Sequence, residues 1–292
     1  MGLKRTLQFI LNHPLNKNNK LGALTRFVKW QIRARLNTAP VVHQFTPKAK
    51  IFARKGLAGV TGNIYCGLHD FEDMSFLLHF LRRGDLFLDI GANVGSYTIL
   101  ASGHCEADSI SFEPVPVTYK LLQENVRLNK MESRVTALNV AVGSSEGTIP
   151  FTSSFDAINH VAKTRDDKTI DVPIGVLNHL IGERNPHLAK IDVEGYETEV
   201  LAGGSEVLSK PSLKAIIIEL NGAGANFGYD ESKIHDTLLG YGYKPFRYDP
   251  FARTLFPLDT FGHLNTIYIK DLPFVTERIK SAKKIEILGQ AI

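Results

Sequence analysis

LFLDIGANVGSYTILAS, residues 86–102, decides the fold. Residues 86–90 are an almost unbroken apolar run, the pattern of a strand buried on both faces rather than on one. A glycine turn follows, and a helix begins at about Ser96. The same succession repeats downstream. SISFEP (109–114) reads as a short strand ending in an acid, and 116–130 as a helix with Leu121, Leu122, Asn125 and Leu128 on one side. VTALNVAVG (135–143) is a strand, GTIPFTSS (147–154) an additional strand, 176–184 a helix, AKIDVEG (189–195) a strand, 196–208 a helix and LKAIIIEL (213–220) a strand. A glycine-rich loop (221–228), a helix (231–239) and two strands near YKPFRY and NTIYIK complete the series. Upstream, Asp70 caps a helix over 71–83 that Gly84 ends, and Gly56, Gly59, Gly62 and Gly67 predict loop and short strand. Such alternation predicts a mostly parallel sheet with helices on both faces, whose ligands sit beyond the carboxyl ends of the strands.

No run of about 18 apolar residues occurs, which argues against a spanning helix. Two cations precede a short apolar patch at the N-terminus, but Gln8 interrupts it and no small-residue cleavage site follows, so no secretory signal is read. Cys66 and Cys105 are isolated, without zinc spacing, and read as reduced thiols of a cytoplasmic protein. Charge divides the chain. Residues 1–55 hold twelve Lys or Arg and no acid, so the net charge of +4 leaves −8 for the remainder. The asymmetry predicts a basic N-terminal extension (1–55) and a main domain (56–292). Within the extension, Leu21, Leu24, Phe27, Val28, Ile32 and Leu36 fall at helical spacing among Lys20, Arg26, Lys29, Arg33 and Arg35. This amphipathic basic helix either meets a polyanion, such as acidic lipid at the inner face of a membrane, or packs its apolar stripe on the main domain.

The turn after the first strand has the pattern acid-x-Gly-x-x-x-Gly, in Asp89, Gly91 and Gly95. A dinucleotide fold wants Gly-x-Gly-x-x-Gly, so that a pyrophosphate rests on the helix N-terminus. Asp89 would repel that group and suits a ligand bearing an ammonium and a sulfonium. Glu113, before Pro114, ends the next strand, where a carboxylate can take both hydroxyls of a ribose. Together the two acids describe S-adenosylmethionine. The glycines alone fit tight strand–helix packing equally well.

FLDIGANVGSYT, SFEP, LNVAVG, KIDVEGYETEVLAGG and AIIIEL, in this order and spacing, resemble the FkbM-type S-adenosylmethionine-dependent methyltransferases over about residues 65–269. The resemblance implies an α/β, Rossmann-like class I methyltransferase fold with a seven-stranded, mostly parallel sheet whose last strand is antiparallel. It implies a cofactor lined by Asp89, Gly91, Ala92, Asn93, Gly95, Glu113 and Pro114, with Ala141 near the adenine. It also implies O-methylation, of a glycan or small-molecule natural product. Residues 1–55 lie outside it.

An aliphatic hydroxyl attacks poorly until it loses its proton, so a base or metal is expected beside the cofactor. KIDV and the residue after it supply Asp192 and Glu194, the candidate catalytic acids, and the neighbouring strand ends in Glu219 and Asn221. Asp192, Glu219 and Asn221 are hard oxygen ligands suited to Mg²⁺. Glu197 and Glu199 read as charges at a helix N-terminus. His160, in SFDAINHVA, is either a third catalytic group arching over the cleft or a loop histidine bonded to backbone. The loop 221–228 is either a lid or a connection. Two rivals stand beside this reading. A nucleic-acid methyltransferase is favoured by the basic segment but opposed by the acidic main domain and the lack of an Asn-Pro-Pro-aromatic motif. A non-catalytic S-adenosylmethionine-binding module is opposed by the joint presence of Asp89, Glu113 and Asp192.

Overall fold

The computed structural model describes residues 2–37, 39–152, 160–162, 169–262 and 264–292. Leu86–Ile90 (β1), Asp108–Phe112 (β2), Val135–Leu138 (β3), Leu188–Ile191 (β4), Ala215–Glu219 (β5), Lys244–Asp249 (β6), Thr254–Pro257 (β7) and Asn265–Ile269 (β8) form one sheet in the order β7-β6-β8-β5-β4-β1-β2-β3. The strands β1 to β5 run parallel, and β8 enters antiparallel between β5 and β6. The unbroken apolar runs have a direct cause. Ile216 and Ile218 of β5 belong to one buried cluster and Ile217 to another, so each face of the sheet covers its own core. The chain leaves β3 and returns on the other side of β1, which opens a crevice where β1 and β4 end side by side.

The sheet has eight strands rather than the expected seven. The addition is β7, a hairpin partner on the edge beside β6. Its four residues are too few to show a period, and its terminal proline reads as a breaker unless the strand lies at an edge. The run 135–143 also divides. After β3, Ala141–Gly143 joins Gly147–Thr152 and Thr169–Val176 in a separate three-stranded sheet. The helix expected over 196–208 is broken into Glu197–Ala202 and Ser205–Ser209.

Among the described residues, four α-helices precede the sheet: α1 (Leu3–Asn12), α2 (Lys20–Leu36), α3 (Ala58–Cys66) and α4 (Phe71–Phe80). The third replaces the loop and short strand predicted from the glycines. Gly62 lies against the His69 imidazole, which a Cβ would meet at 2.1 Å, so the imidazole as placed favours a residue that helix propensity disfavours. The charge boundary near residue 55 is not a boundary in packing. Ile10, Leu15, Ala23 and Trp30 belong to the same buried cluster as Phe87 and Leu100. Arg26 donates to Asn16 Oδ1 (2.6 Å) and to the Tyr65 carbonyl (3.1 Å), and Gln31 Nε2 donates to Tyr65 Oη (2.8 Å), tying α2 to its neighbours. No helix among the described residues is long and apolar enough to cross a membrane. Both cysteines are free, and burial pushes their thiols up to about 12, away from thiolate chemistry.

Ile10 is fully buried in this shared core. Ile10→Ala is therefore expected to destabilise the whole chain by about 2–5 kcal/mol, seen as a lower urea midpoint with an unchanged slope. A midpoint equal to that of the wild type would mean that α1 lies outside the cooperative unit.

Candidate active site

Everything at the site starts from the meeting of β1 and β4. Gly91 takes φ +85°, and a Cβ on it would stand 1.8 Å from the Asp192 carbonyl oxygen, so only glycine lets the two strand ends close. The amides of Gly91 and Ala92 both donate to the Phe112 carbonyl, at 3.1 and 2.9 Å, which fastens the turn to β2. Asn93 also takes positive φ, and its Oδ1 accepts from the Val94 amide at 2.7 Å. The amide of Asn93 donates to Glu113 Oε2 and that of Val115 to Oε1, each at 2.9 Å. Two fixed amides thus aim the Glu113 carboxylate. Burial lifts its carboxyl to about 7 against those two hydrogen bonds. Asp89 Oδ2 accepts from the Thr98 amide (2.9 Å) and hydroxyl (2.5 Å), which anchors the helix begun at Ser96, and burial raises Asp89 to about 6.

These groups open on a cavity of about 640 Å³. Asp89, Gly91, Ala92, Asn93, Glu113, Pro114 and Ala141 all line it. Gly95 does not. Its φ of +89° starts the helix, and Leu122 packs where a Cβ would stand, so here the packing explanation of the glycine holds. The facing wall is absent from the sequence reading: Thr6 and Phe9 of α1, Gln31 of α2, the length of α3 from Ala58 to Asn63, and His69 and Asp70 before α4. Helical spacing reveals an apolar face on such segments, but not what that face meets.

Asp192, Glu194 and Glu219 each bring a carboxylate oxygen within 4.8 Å of the others. Lys190, almost wholly buried, donates from Nζ to Asp192 Oδ2 at 3.0 Å. The sequence reading passed over Lys190, yet a lysine in an apolar central strand two residues before an acid lies on the same face as that acid. Burial favours a neutral Asp192, but the Lys190 charge and a hydrogen bond from Glu219 outweigh it and hold the carboxyl below its ordinary range. Glu219 moves the opposite way. Burial and the Asp192 charge push it up to about 9, so at neutral pH it is the protonated member of the pair. Glu194, at φ +55°, is raised to about 7 by burial and then by Asp192. The cluster therefore holds one fixed anion, one retained proton and one carboxyl that titrates near neutrality.

Two residues named with these lie elsewhere. Asn221 is exposed, and its Oδ1 accepts from the Ala223 amide at 2.9 Å because the chain turns away after Leu220. His160 donates its amide to Thr152 Oγ1 at 2.9 Å and is not a wall of the cavity, although Phe151 and Val161 are. The stretch 153–159 before it lies outside the described residues. Glu197 and Glu199 both stand in the first turn of a helix, as expected. Glu197 accepts from the amides of Val193 (3.1 Å) and Gly195 (3.2 Å) in the preceding turn, and Glu199 accepts from Tyr229 Oη at 2.8 Å.

The sequence model of the methyltransferase FkbM domain matches residues 89–245, more than half of the 292-residue chain and the part that builds the glycine turn, Glu113 and the acid cluster. The chain belongs to the FkbM methyltransferase family. It is 33% identical over 148 residues to the hexuronic acid methyltransferase AglP of Haloferax volcanii, covering 50% of this chain and 59% of that one. It is 29% identical over 172 residues to the methyltransferase sdnD of Sordaria araneosa (47% and 66%). It is 26% identical over 213 residues to the 31-O-demethyl-FK506 methyltransferase FkbM of Streptomyces tacrolimicus (59% and 78%). The chain spans less than two thirds of the length of the first two relatives. A crystal structure of an FkbM methyltransferase from Methylobacillus flagellatus overlays 73% of this chain and 55% of its own, with TM-score 0.44 and 15% identity.

In this FkbM-family site the proton on Glu219 has a consequence for stability. Its folded pKa, about 9, lies above the ordinary 4.5, so its contribution is complete below pH 4.5 and is lost as pH rises towards 9. Glu219→Gln keeps a donor towards Asp192 without the titration. The variant is expected to match the wild type near pH 4.5 and to gain on it steadily up to pH 9 in thermal unfolding. Parallel pH dependence of the two proteins would place the proton elsewhere.

Proposed function

We propose that this chain transfers the methyl group of S-adenosylmethionine to a hydroxyl of a glycan or small-molecule natural product. One observation carries the reading: a single cavity joins a carboxylate aimed for a ribose, Glu113, to an acid cluster able to orient a hydroxyl and take its proton. The residues fit the cofactor. An ionised carboxylate has about four acceptor positions, and amides occupy two on Glu113, which leaves two for ribose hydroxyls. The acid-rich lining, Asp70, Asp89 and Asp192 among it, suits a sulfonium and an ammonium, and the volume lies within the usual range of ligand sites. The same acids would repel a nucleic-acid backbone, which counts against that rival. Two of the relatives, by their names, act on a hexuronic acid and on an oxygen of demethyl-FK506, and both support an oxygen acceptor.

When bound, S-adenosylmethionine supplies an electrophilic methyl group on its sulfonium. The residues of the chain do the rest. Asp192, ionised and pinned by Lys190, accepts the hydrogen bond of the acceptor hydroxyl and orients it. A carboxylate held low is a poor base, whereas Glu194, titrating near 7, is matched to taking the proton at neutral pH. A resident divalent cation fits less well. The three carboxylates are close enough, but the Lys190 ammonium already occupies an oxygen of Asp192 and would stand beside the ion.

Calorimetric titration with S-adenosylhomocysteine should show binding by the wild type, weakened by about 1.5–3 kcal/mol in Glu113→Ala. No binding by a folded wild type would overturn the cofactor reading. In methyl transfer to a hexuronic-acid oligosaccharide, Glu194→Gln is expected to keep cofactor affinity, lose turnover by roughly 10²–10⁴ and lose the rise in rate with pH through about 7. Asp192→Asn should also raise the acceptor KM, and activity should survive EDTA. Unchanged turnover in both variants would remove the acids from the chemistry.

A further inference from the structure

The N-terminal helices wall the cavity, yet among the described residues α2 leaves an apolar face half or more exposed. Leu21, Val28, Ile32 and Leu36 are 77, 50, 53 and 82% exposed, whereas Ala23 and Trp30 on the other side are buried in the core. Their spacing of seven, four and four residues keeps the four aliphatic side chains within an arc of about 80° on the helix surface. Arg35 flanks that arc on one side, and Lys29 and Arg33 flank it on the other; all three are exposed. Arg35 donates to the Gln31 carbonyl at 3.2 Å, one turn back along the same helix. Among the described residues Lys29, Arg33 and Arg35 make no salt bridge, whereas Lys48 and Arg54 further along pair with Glu106 and Glu124.

We propose that this outward face of α2 docks on an anionic lipid surface. An aliphatic strip between two rows of cations matches the boundary between acyl chains and acidic headgroups, with the strip below and the cations among the phosphates. Arg and Lys reach that position by extending their stems from the edge of the strip. Charge decides against a symmetric pairing of this face with a second copy. Residues 1–55 contain no acid, so pairing this face with itself would set cations against cations. Chemistry decides against single-stranded nucleic acid, because the face is Leu, Val and Ile with Thr25 among them, and has no ring on which a base could stack. Exposed leucine beside cations recurs at the start of α1, where Leu3 is 65% exposed next to Lys4 and Arg5. Gln31, on the flank of the same helix, lines the cavity, so docking brings one wall of the cavity close to the lipid.

Co-sedimentation of the 292-residue chain with equimolar phosphatidylcholine–phosphatidylglycerol vesicles tests this. Binding is expected at low salt, falling by roughly tenfold or more at high salt and on vesicles of phosphatidylcholine alone. Val28→Glu with Ile32→Glu, and separately Lys29→Glu with Arg33→Glu, are each expected to lose binding to the same extent without moving the unfolding midpoint, because all four positions are exposed. Absence of wild-type binding to the anionic vesicles, or binding that neither pair changes, would overturn the proposal. A concentration-dependent dimer abolished by Val28→Glu with Ile32→Glu would overturn it in favour of a second copy. Displacement from the vesicles by single-stranded RNA, with tighter binding to the RNA, would overturn it in favour of nucleic acid.

Discussion

The contact between Gly91 and the Asp192 carbonyl is the constraint on which the site depends. Parallel strands β1 and β4 end together, and a Cβ at position 91 would occupy the carbonyl's place. Because that side chain is missing, the turn after β1 can fold back to bond Phe112 and present Asn93 to Glu113 on one side, while Asp192 and Glu194 leave β4 on the other. The cofactor half and the acid half of the cavity are therefore two consequences of one close approach. A methyl-transfer site needs that closeness, since donor and acceptor must share one enclosed volume.

Within the acid cluster, burial and the Lys190–Asp192 pair separate the three carboxyls. Asp192 touches the ammonium and stays ionised; Glu219, buried beside that anion, keeps its proton; Glu194, less strongly raised, titrates between them. Three chemically similar carboxyls thus differ in their hold on a proton. The cation is itself kept charged, against the burial that would neutralise it, chiefly by the charge and hydrogen bond of Asp192.

Much of this was legible in the sequence, for identifiable reasons. The central strands are buried on both faces, so their apolar runs are unbroken and their lengths readable. Glycines at positive φ mark the turn, and an acid at a strand end marks Glu113. What escaped depends on contacts between segments distant in sequence. Gly62 weakens a helix locally but accommodates the His69 imidazole, so α3 read as a loop. Gly95 followed the cofactor pattern but serves Leu122, and Asn221 followed the strand but caps its own loop. The charge change near residue 55 is real, but α1 and α2 still share the main core, because burial of Ile10 and Trp30 does not depend on the sign of the surrounding charge. The cavity wall built from α1 to α3 arises only once those helices dock.

Hydrogen exchange of the 292-residue chain with and without S-adenosylhomocysteine reads the cofactor site segment by segment. Slower exchange on binding is expected at 91–94, around Glu113 and at 140–142, the cavity-lining segments proposed to hold the cofactor. Protection that spared 91–94 and Glu113 while falling on other segments would contradict that placement.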